Sequence, residues 1–211
     1  MSKECIIVGA GTYGQVFAEF LKEEYDVLGF VDDDESLIGD VINGVCVLGD
    51  FNYLLKNRRN NCSIFVPLGS NKLRKEFLIL LKEQGFDTPS FIHRDAIVHE
   101  SVEIGETIYI LPGSIVMPYS IIGDYVIISA GVNISHHSIL GRASFFAQGA
   151  NVGASVYIGE CAFCGIGASV MTGVKKIGNN SLIGAGTVVI RDVPDDAVVV
   201  GNPGRIIRFN S

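Results

Sequence analysis

Apolar residues recur at every sixth position over the second half of the chain, and this period limits what the chain can fold into. The series runs from Ile92 to Val170 and resumes at Ile177 after one extra residue near Gly173. An amphipathic helix needs a period of about 3.6 residues and tolerates few glycines or β-branched residues, so it does not fit. A hexapeptide period is typical of a parallel β-helix, in which each repeat packs only on its neighbours.

In such a β-helix each hexad forms one flat face, and three hexads form one coil. The apolar residue of each hexad then points inward and packs on the residue 18 positions later, so Ile104, Ile122, Leu140 and Ile158 should form one stack. Small residues near these positions fit the tight corners. The flat, apolar outer faces indicate side-by-side oligomers with ligand sites between neighbours.

The first 90 residues show a different pattern, in which short β-rich runs alternate with helical periodicity. Buried strands are predicted over Cys5–Val8, Val27–Val31 and Ser63–Val66. Asn43-Gly44, between two apolar pairs, predicts a hairpin. The fold class is therefore a small parallel α/β sheet, a Rossmann-like half, over residues 1–90, followed by an all-β helix of hexapeptide repeats over 91–211.

Charge and composition exclude several classes of partner. Sixteen Lys and Arg against 23 Asp and Glu give a formal net charge of −7 without a basic stripe, so nucleic acid is not an expected partner. No apolar run reaches the ~18 residues of a membrane span. Five cysteines without a signal peptide indicate free thiols in a reducing cytoplasm.

Several segments carry a family resemblance that covers essentially the whole chain. They are the repeat array, His136 within Ile134–Gly141, the ending Val200–Arg205, and the N-terminal segments Ile7–Gly11, Phe30–Asp33 and Leu68–Arg74. Together they resemble the bacterial sugar acetyltransferases that include sialic acid O-acetyltransferase and the bacillosamine and perosamine N-acetyltransferases.

The resemblance implies a left-handed β-helix, a homotrimer, and acetyl-CoA as co-substrate, and no metal is expected. It implies N-acetylation of a nucleotide-linked 4-amino-4,6-dideoxy sugar for lipopolysaccharide or other surface glycan synthesis. O-acetylation of sialic acid or a related sugar is an open alternative. A non-catalytic β-helix scaffold or nucleotide-sugar sensor is another.

His136 is the predicted general base, because the matching histidine of the family has this role. Neutral imidazole can accept a proton near cytoplasmic pH. A surface or interface histidine is the competing interpretation. The family often has a glutamate at the next position, where this chain has His137, so the group that orients His136 is left open. On a strand the two side chains would diverge, which argues against a paired-histidine metal site.

The turn Gly9-x-Gly11-x-x-Gly14, with Asp32 about twenty residues on, matches a dinucleotide fingerprint. The sheet, with about three parallel strands, is too small for NAD, but the turn offers backbone amides to a sugar diphosphate. The resemblance assigns the acceptor nucleotide to this domain, and Asp32 and Asp33 also fit a solvated strand end and helix cap. The predicted substrate contacts are Gly9, Gly11, Thr12, Tyr13, Gly14, Asp32, Asp33, Asn71 and Arg74.

Residues 161–211 are locally positive in an acidic chain, which suits the phosphates of coenzyme A. A solvated cap at the end of the β-helix is the competing interpretation. The predicted acetyl-CoA contacts are Ala147, Gly153, Ala154, Lys175, Asn202, Pro203 and Arg205. Cys161 and Cys164 form a lone C-x-x-C without a second ligand pair, so core packing is favoured over a zinc site.

Overall fold

The computed structural model describes residues 3–210, and the chain divides into two compact units between Pro89 and Ser90. The helices and strands of the first unit are β1 (Lys3–Val8), α1 (Thr12–Leu21), β2 (Tyr25–Val31), a 3₁₀ turn (Glu35–Leu37), β3 (Val41–Ile42), β4 (Val45–Gly49), α2 (Phe51–Lys56), β5 (Cys62–Phe65) and α3 (Asn71–Glu83). In this described part of the chain, no helix is both long and apolar enough to cross a bilayer.

The first unit is an α/β sheet with the strand order β3-β4-β2-β1-β5. The predicted strands, helices and hairpin are all present, and Asn43 and Gly44 both have positive φ, as a tight hairpin turn requires. The sheet contains four parallel strands rather than about three, because β4 pairs with β3 and also, in parallel, with β2. The carboxyl ends of β1, β2 and β5 therefore meet at one edge, where ligands bind in open α/β sheets.

The second unit is a parallel β-helix built from two-residue strands. These strands, β6 to β22, are Phe91–Ile92, Ile97–Val98, Glu103–Ile104, Tyr109–Ile110, Ile115–Val116, Ile121–Ile122, Ile127–Ile128, Asn133–Ile134, Ile139–Leu140, Phe145–Phe146, Asn151–Val152, Tyr157–Ile158, Phe163–Cys164, Ser169–Val170, Lys176–Ile177, Leu182–Ile183 and Val188–Val189. Two longer strands, β23 (Ala197–Val200) and β24 (Arg205–Phe209), close the end as an antiparallel pair.

The strands stack into three faces, as the hexapeptide period predicts. The first face contains β7, β10, β13, β16, β19 and β22, the second contains β8, β11, β14, β17 and β20, and the third contains the others. Ile122 pairs with Ile104 before it and with Leu140 after it, so the 18-residue register is confirmed. The interval grows to 19 between Ile158 and Ile177, where the extra residue was predicted.

The inward residues form one continuous apolar core that includes Ile122, Leu140, Ile158 and Cys164, each at most 1% exposed. Ile104, in the first coil, remains 43% exposed because no earlier coil covers it. Buried serines at the corners donate to carbonyls of the following coil, for example Ser138 Oγ to Gly153 O at 2.9 Å. The corners are thus fixed by hydrogen bonds, and the faces by apolar packing.

Candidate active site

The two adjacent histidines lie at a corner of the β-helix. Residues 135–138 form the turn between β13 on the first face and β14 on the second. We call this turn, with its equivalents in the other coils, the histidine corner. Both imidazole side chains are exposed, and His137 has a φ of 59°, in the left-handed region. His136 is therefore accessible to a ligand, as a general base must be.

The two imidazole rings contact each other instead of diverging. The Nδ1 atoms of His136 and His137 are 2.9 Å apart, and the rings are nearly perpendicular with centroids 5.1 Å apart. The prediction that these side chains lie on opposite sides of a strand is wrong, because the residues occupy a turn and the positive φ of His137 redirects its side chain. One Nδ1 donates to the other, so His137 is the immediate partner of the predicted base.

Three of the predicted acetyl-CoA contacts share the histidine corner with His136. Gly153 and Ala154 lie one coil further along, and Lys175 lies in the coil after that, where the extra residue is accommodated. The Ala154 N–H donates to Thr172 Oγ1 at 3.3 Å, and the Lys175 ammonium group is exposed. A ligand lying along this corner would meet small residues first and a cation further on.

The other predicted acetyl-CoA contacts lie elsewhere on the chain. Ala147 lies at the corner between the third and first faces. Asn202 and Pro203 lie in the turn between β23 and β24, which is hydrogen-bonded to Val188 at the start of β22 on the first face. Arg205 begins β24 beside a hollow of about 300 Å³. Ala147 is buried, and its N–H donates to the carbonyl of Cys164, so it does not line a surface as predicted. One chain therefore does not bring the two groups of predicted contacts together.

Seven of the nine predicted acceptor contacts line two clefts at the carboxyl edge of the α/β sheet, and Asn71 and Arg74 line neither. Gly9, residues 11–14 and the segment 67–69 line a cleft of about 240 Å³. Asp32, Asp33 and Phe51 line the other cleft, of about 220 Å³, and Gly9 and Leu68 line both. The structure thus places the glycine-rich turn and the acidic end of β2 side by side, as predicted.

Glycine serves a different structural purpose at each of the three positions of the turn. Gly9 has a φ of 99°, and a Cβ at Gly14 would lie 1.9 Å from the Gly9 carbonyl oxygen, so α1 packs directly on the turn. A Cβ at Gly11 would meet nothing within 4 Å. Gly9 and Gly14 therefore hold the turn together, and Gly11 leaves open space in the cleft.

The Asp32 carboxylate closes part of the turn. Its Oδ2 accepts from the Ala10 N–H at 2.7 Å, and its Oδ1 accepts from the Asp34 N–H at 3.0 Å. Asp33 Oδ1 accepts from the N–H of Phe51 at 3.1 Å, at the start of α2. The Ala10 N–H is thus hydrogen-bonded to a negative charge, so it is not among the backbone amides of the turn that are free to bind a diphosphate.

Arg74 has a different place from the one predicted. It is 0% exposed, and its guanidinium donates to Leu68 O at 2.7 Å and to Asn71 Oδ1 at 2.9 Å. Arg74 therefore links α3 to Leu68, which lines both clefts. It positions the cleft wall and does not contact a ligand. Asn71, half-buried at the start of α3, is held by this contact.

Substitutions at Gly11 and Gly14 should separate binding from folding. We expect Gly14→Ala to lower the free energy of unfolding by about 1–3 kcal/mol, because the methyl group overlaps the Gly9 carbonyl. Gly11→Asn should keep the stability, since Gly11 has a φ of −63° and asparagine is a favoured N-cap residue. It should raise the KM for the acceptor without changing the KM for acetyl-CoA. If the two variants have the same melting temperature as each other and the same KM for the acceptor, this assignment is wrong.

The two cysteines of the C-x-x-C motif lie in different environments. Cys164 lies in the core, and burial raises the pKa of its thiol to about 12, which makes it a poor metal ligand. Cys161 lies at a corner, and the five cysteines form no disulfide. Within residues 3–210, no three His, Cys, Asp or Glu side chains are grouped as a metal site would require.

Sequence reasoning missed one aromatic residue of the histidine corner. The Tyr119 ring is 5.0 Å from the His137 ring and tilted by 44°, and Tyr119 has the same left-handed turn conformation. It precedes His137 by 18 residues, which is one coil. The repeat period itself could have found it.

Comparisons with known proteins agree with this architecture. Residues 4–79 match the family model described as the PglD N-terminal domain. PerB from Caulobacter crescentus, solved in complex with CoA and GDP-perosamine, is 35% identical over 96% of both chains, with a TM-score of 0.87. The acetyltransferase domain of PglB from Neisseria gonorrhoeae, solved with acetyl coenzyme A, is 29% identical over 98% of this chain and 100% of that domain, with a TM-score of 0.90.

Curated relatives match only a short stretch of the chain. Serine acetyltransferase from Synechococcus elongatus is 66% identical over 32 residues, which is 15% of this chain and 13% of that protein. Serine acetyltransferase from Bacillus subtilis is 48% identical over 46 residues, which is 19% and 21% of the two chains. The chain therefore spans about a fifth or less of the length of these relatives.

Proposed function

The chain belongs to the sugar acetyltransferases in which a PglD-type N-terminal domain precedes a left-handed β-helix of hexapeptide repeats, and we propose that it transfers acetyl from acetyl-CoA to a nucleotide-linked amino sugar. The observation that carries the proposal is the similarity, over 96% of both chains, to a protein solved with CoA and GDP-perosamine. The acceptor we propose is a 4-amino-4,6-dideoxy sugar, and the product is its N-acetyl derivative for surface glycan synthesis.

In the proposed reaction the neutral amine attacks the thioester carbonyl. A C–N bond forms, and the C–S bond breaks once the tetrahedral intermediate collapses. His136 takes the proton that the nitrogen must lose, because its exposed ring offers a nitrogen lone pair at the histidine corner. The proton then returns to the departing thiolate sulfur, so the enzyme ends the cycle unchanged.

The two units divide the substrates between them in this proposal. The clefts around Gly11 and Asp33 would hold the nucleotide of the acceptor, and the histidine corner would hold the pantetheine arm of acetyl-CoA. Since Asp32 occupies the Ala10 amide, acceptor recognition there would depend on hydrogen bonds to carboxylates more than on phosphate binding. The five cysteines form no disulfide, which agrees with the cytoplasmic location that we propose.

We propose that the working assembly is a homotrimer. Ala154 and Lys175 lie at one corner of the β-helix, and Asn202 and Pro203 lie in the turn between β23 and β24, so a single acetyl-CoA could meet both groups only where two copies adjoin. Exposed Ile121, Ile139 and Tyr157 on the second face supply an apolar surface for such contact. Light scattering should give three times the chain mass, and a monomer at micromolar concentration would contradict the trimer.

Thiol release from acetyl-CoA tests the proposed activity. The acceptors to compare are nucleotide-linked amino sugars, the matching nucleotide-linked hydroxy sugars and free sialic acid. We expect turnover with an amino sugar only. Turnover with sialic acid would support O-acetylation, and tight nucleotide-sugar binding without turnover would support a sensor.

A further inference from the structure

We infer that His137 is a positioning residue that holds His136 in the one neutral tautomer able to accept the substrate proton at Nε2. This inference rests on the proposed function and adds to it the group that orients the base. The observation behind it is the 2.9 Å contact between the two Nδ1 atoms. A carboxylate would orient the base as an anion, whereas His137 does so as a neutral ring.

Counting protons on the two rings leaves two arrangements. A neutral imidazole has one N–H donor and one acceptor nitrogen, so the short contact needs one Nδ1–H and one bare Nδ1. If His136 donates, its Nε2 keeps a lone pair and can accept a proton. If His137 donates, His136 carries its own proton on Nε2 and has no lone pair left for the substrate. Only the first arrangement supports catalysis.

Proton uptake during the reaction favours the first arrangement. When the amine loses its proton, a bond forms between that proton and Nε2 of His136, and the ring becomes an imidazolium. Its Nδ1–H then donates to the neutral Nδ1 of His137, and a charged donor makes this hydrogen bond stronger than before. In the second arrangement His136 could be protonated only at Nδ1, which would break the contact between the rings.

The corner holds His137 in place for this role. The His137 N–H donates to the Pro118 carbonyl at 3.2 Å, and the Tyr119 ring packs 5.0 Å from its imidazole. The left-handed backbone at His137 turns its side chain back toward His136. Both contacts, to the Pro118 carbonyl and to the Tyr119 ring, come from the preceding coil, so the stacking of coils fixes the position of His137.

Three variants separate this role from a structural one. Aspartate places an acceptor oxygen as many bonds from Cα as the histidine Nδ1 and tolerates the left-handed conformation, and glycine relieves that conformation but supplies no acceptor. We expect His137→Gly to lower kcat about tenfold with both KM values unchanged, because the base loses its preferred tautomer and orientation. His137→Asp should restore kcat to near the parental value. Asn180→Gly, at an exposed left-handed position on the corner between the second and third faces, should leave kcat unchanged.

The tautomer can also be observed directly on the full chain. Long-range ¹H–¹⁵N correlations in protein labelled at histidine should show the neutral His136 ring protonated at Nδ1, and the proton should no longer favour Nδ1 in His137→Gly. His136 protonated at Nε2 in the parent, or kcat values in the order Gly above Asp, would overturn the inference. The His136→Ala variant separates the inference from the proposed function. If His136→Ala retains full kcat, the proposed function fails. If His136→Ala lowers kcat but His137→Gly does not, only the role of His137 is overturned.

Discussion

His136→Ala is expected to lower kcat by about 10²–10⁴-fold, which is the usual contribution of a general base. The exposed imidazole is the group at the histidine corner that can accept a proton from the acceptor amine, and alanine has no replacement for it. The KM for acetyl-CoA should change little, because the predicted donor contacts are in the following coils. Initial rates of thiol release under saturating substrates measure both constants.

The effect should depend on which histidine is removed. His137 acts only through its contact with His136, so its loss should cost about tenfold, far less than loss of the base itself. A His136→Ala enzyme with near-parental turnover, beside an inactive His137 variant, would show that the base is assigned to the wrong ring.

Ile122→Asp should destabilise the chain on the order of 5 kcal/mol, because it buries an unpaired carboxylate in the core of the β-helix. Ile122 is 1% exposed and stacks between Ile104 and Leu140. Typical domains are stable by only about 5–15 kcal/mol, so this one substitution should prevent folding or nearly do so. Denaturant unfolding followed by circular dichroism measures the loss.

An outward-pointing isoleucine on another face supplies the matched control. Ile97 lies on the first face and is 63% exposed, so Ile97→Asp places its carboxylate in contact with water. It should cost far less than Ile122→Asp. If the two variants melt at the same temperature, the inward register of the repeats is wrong.

The fold could be predicted because its information is local and repeated. A residue and its partner 18 positions later have the same environment, so Ile104, Ile122 and Leu140 report one stack by their spacing alone. The role of the glycines that follow the inward residues was harder to predict from the sequence. A Cβ at Gly141 would lie 2.6 Å from the backbone of Gly159, so these glycines permit close stacking of coils rather than an unusual φ at the corner.

The sequence could predict which residues belong to the candidate site, but it could not predict the contacts between them. The approach of His137 to His136 follows from the backbone conformation of one turn residue, and no period encodes that. The burial of Arg74 and the use of the Ala10 amide by Asp32 likewise arise from how α3 and β2 pack around the clefts. Sequence identified the chemistry at these positions, and tertiary packing decided which groups face a ligand.

Product analysis tests the central claim most directly. The enzyme should be supplied with acetyl-CoA labelled with ¹³C at the carbonyl and with a nucleotide-linked 4-amino-4,6-dideoxy sugar, and the product examined by ¹H–¹³C correlation. We predict that the labelled carbonyl correlates with an amide N–H and with the ring proton at C4, which identifies an N-acetyl group. A correlation to the proton of an oxygen-bearing carbon, or no labelled sugar at all, would contradict the account.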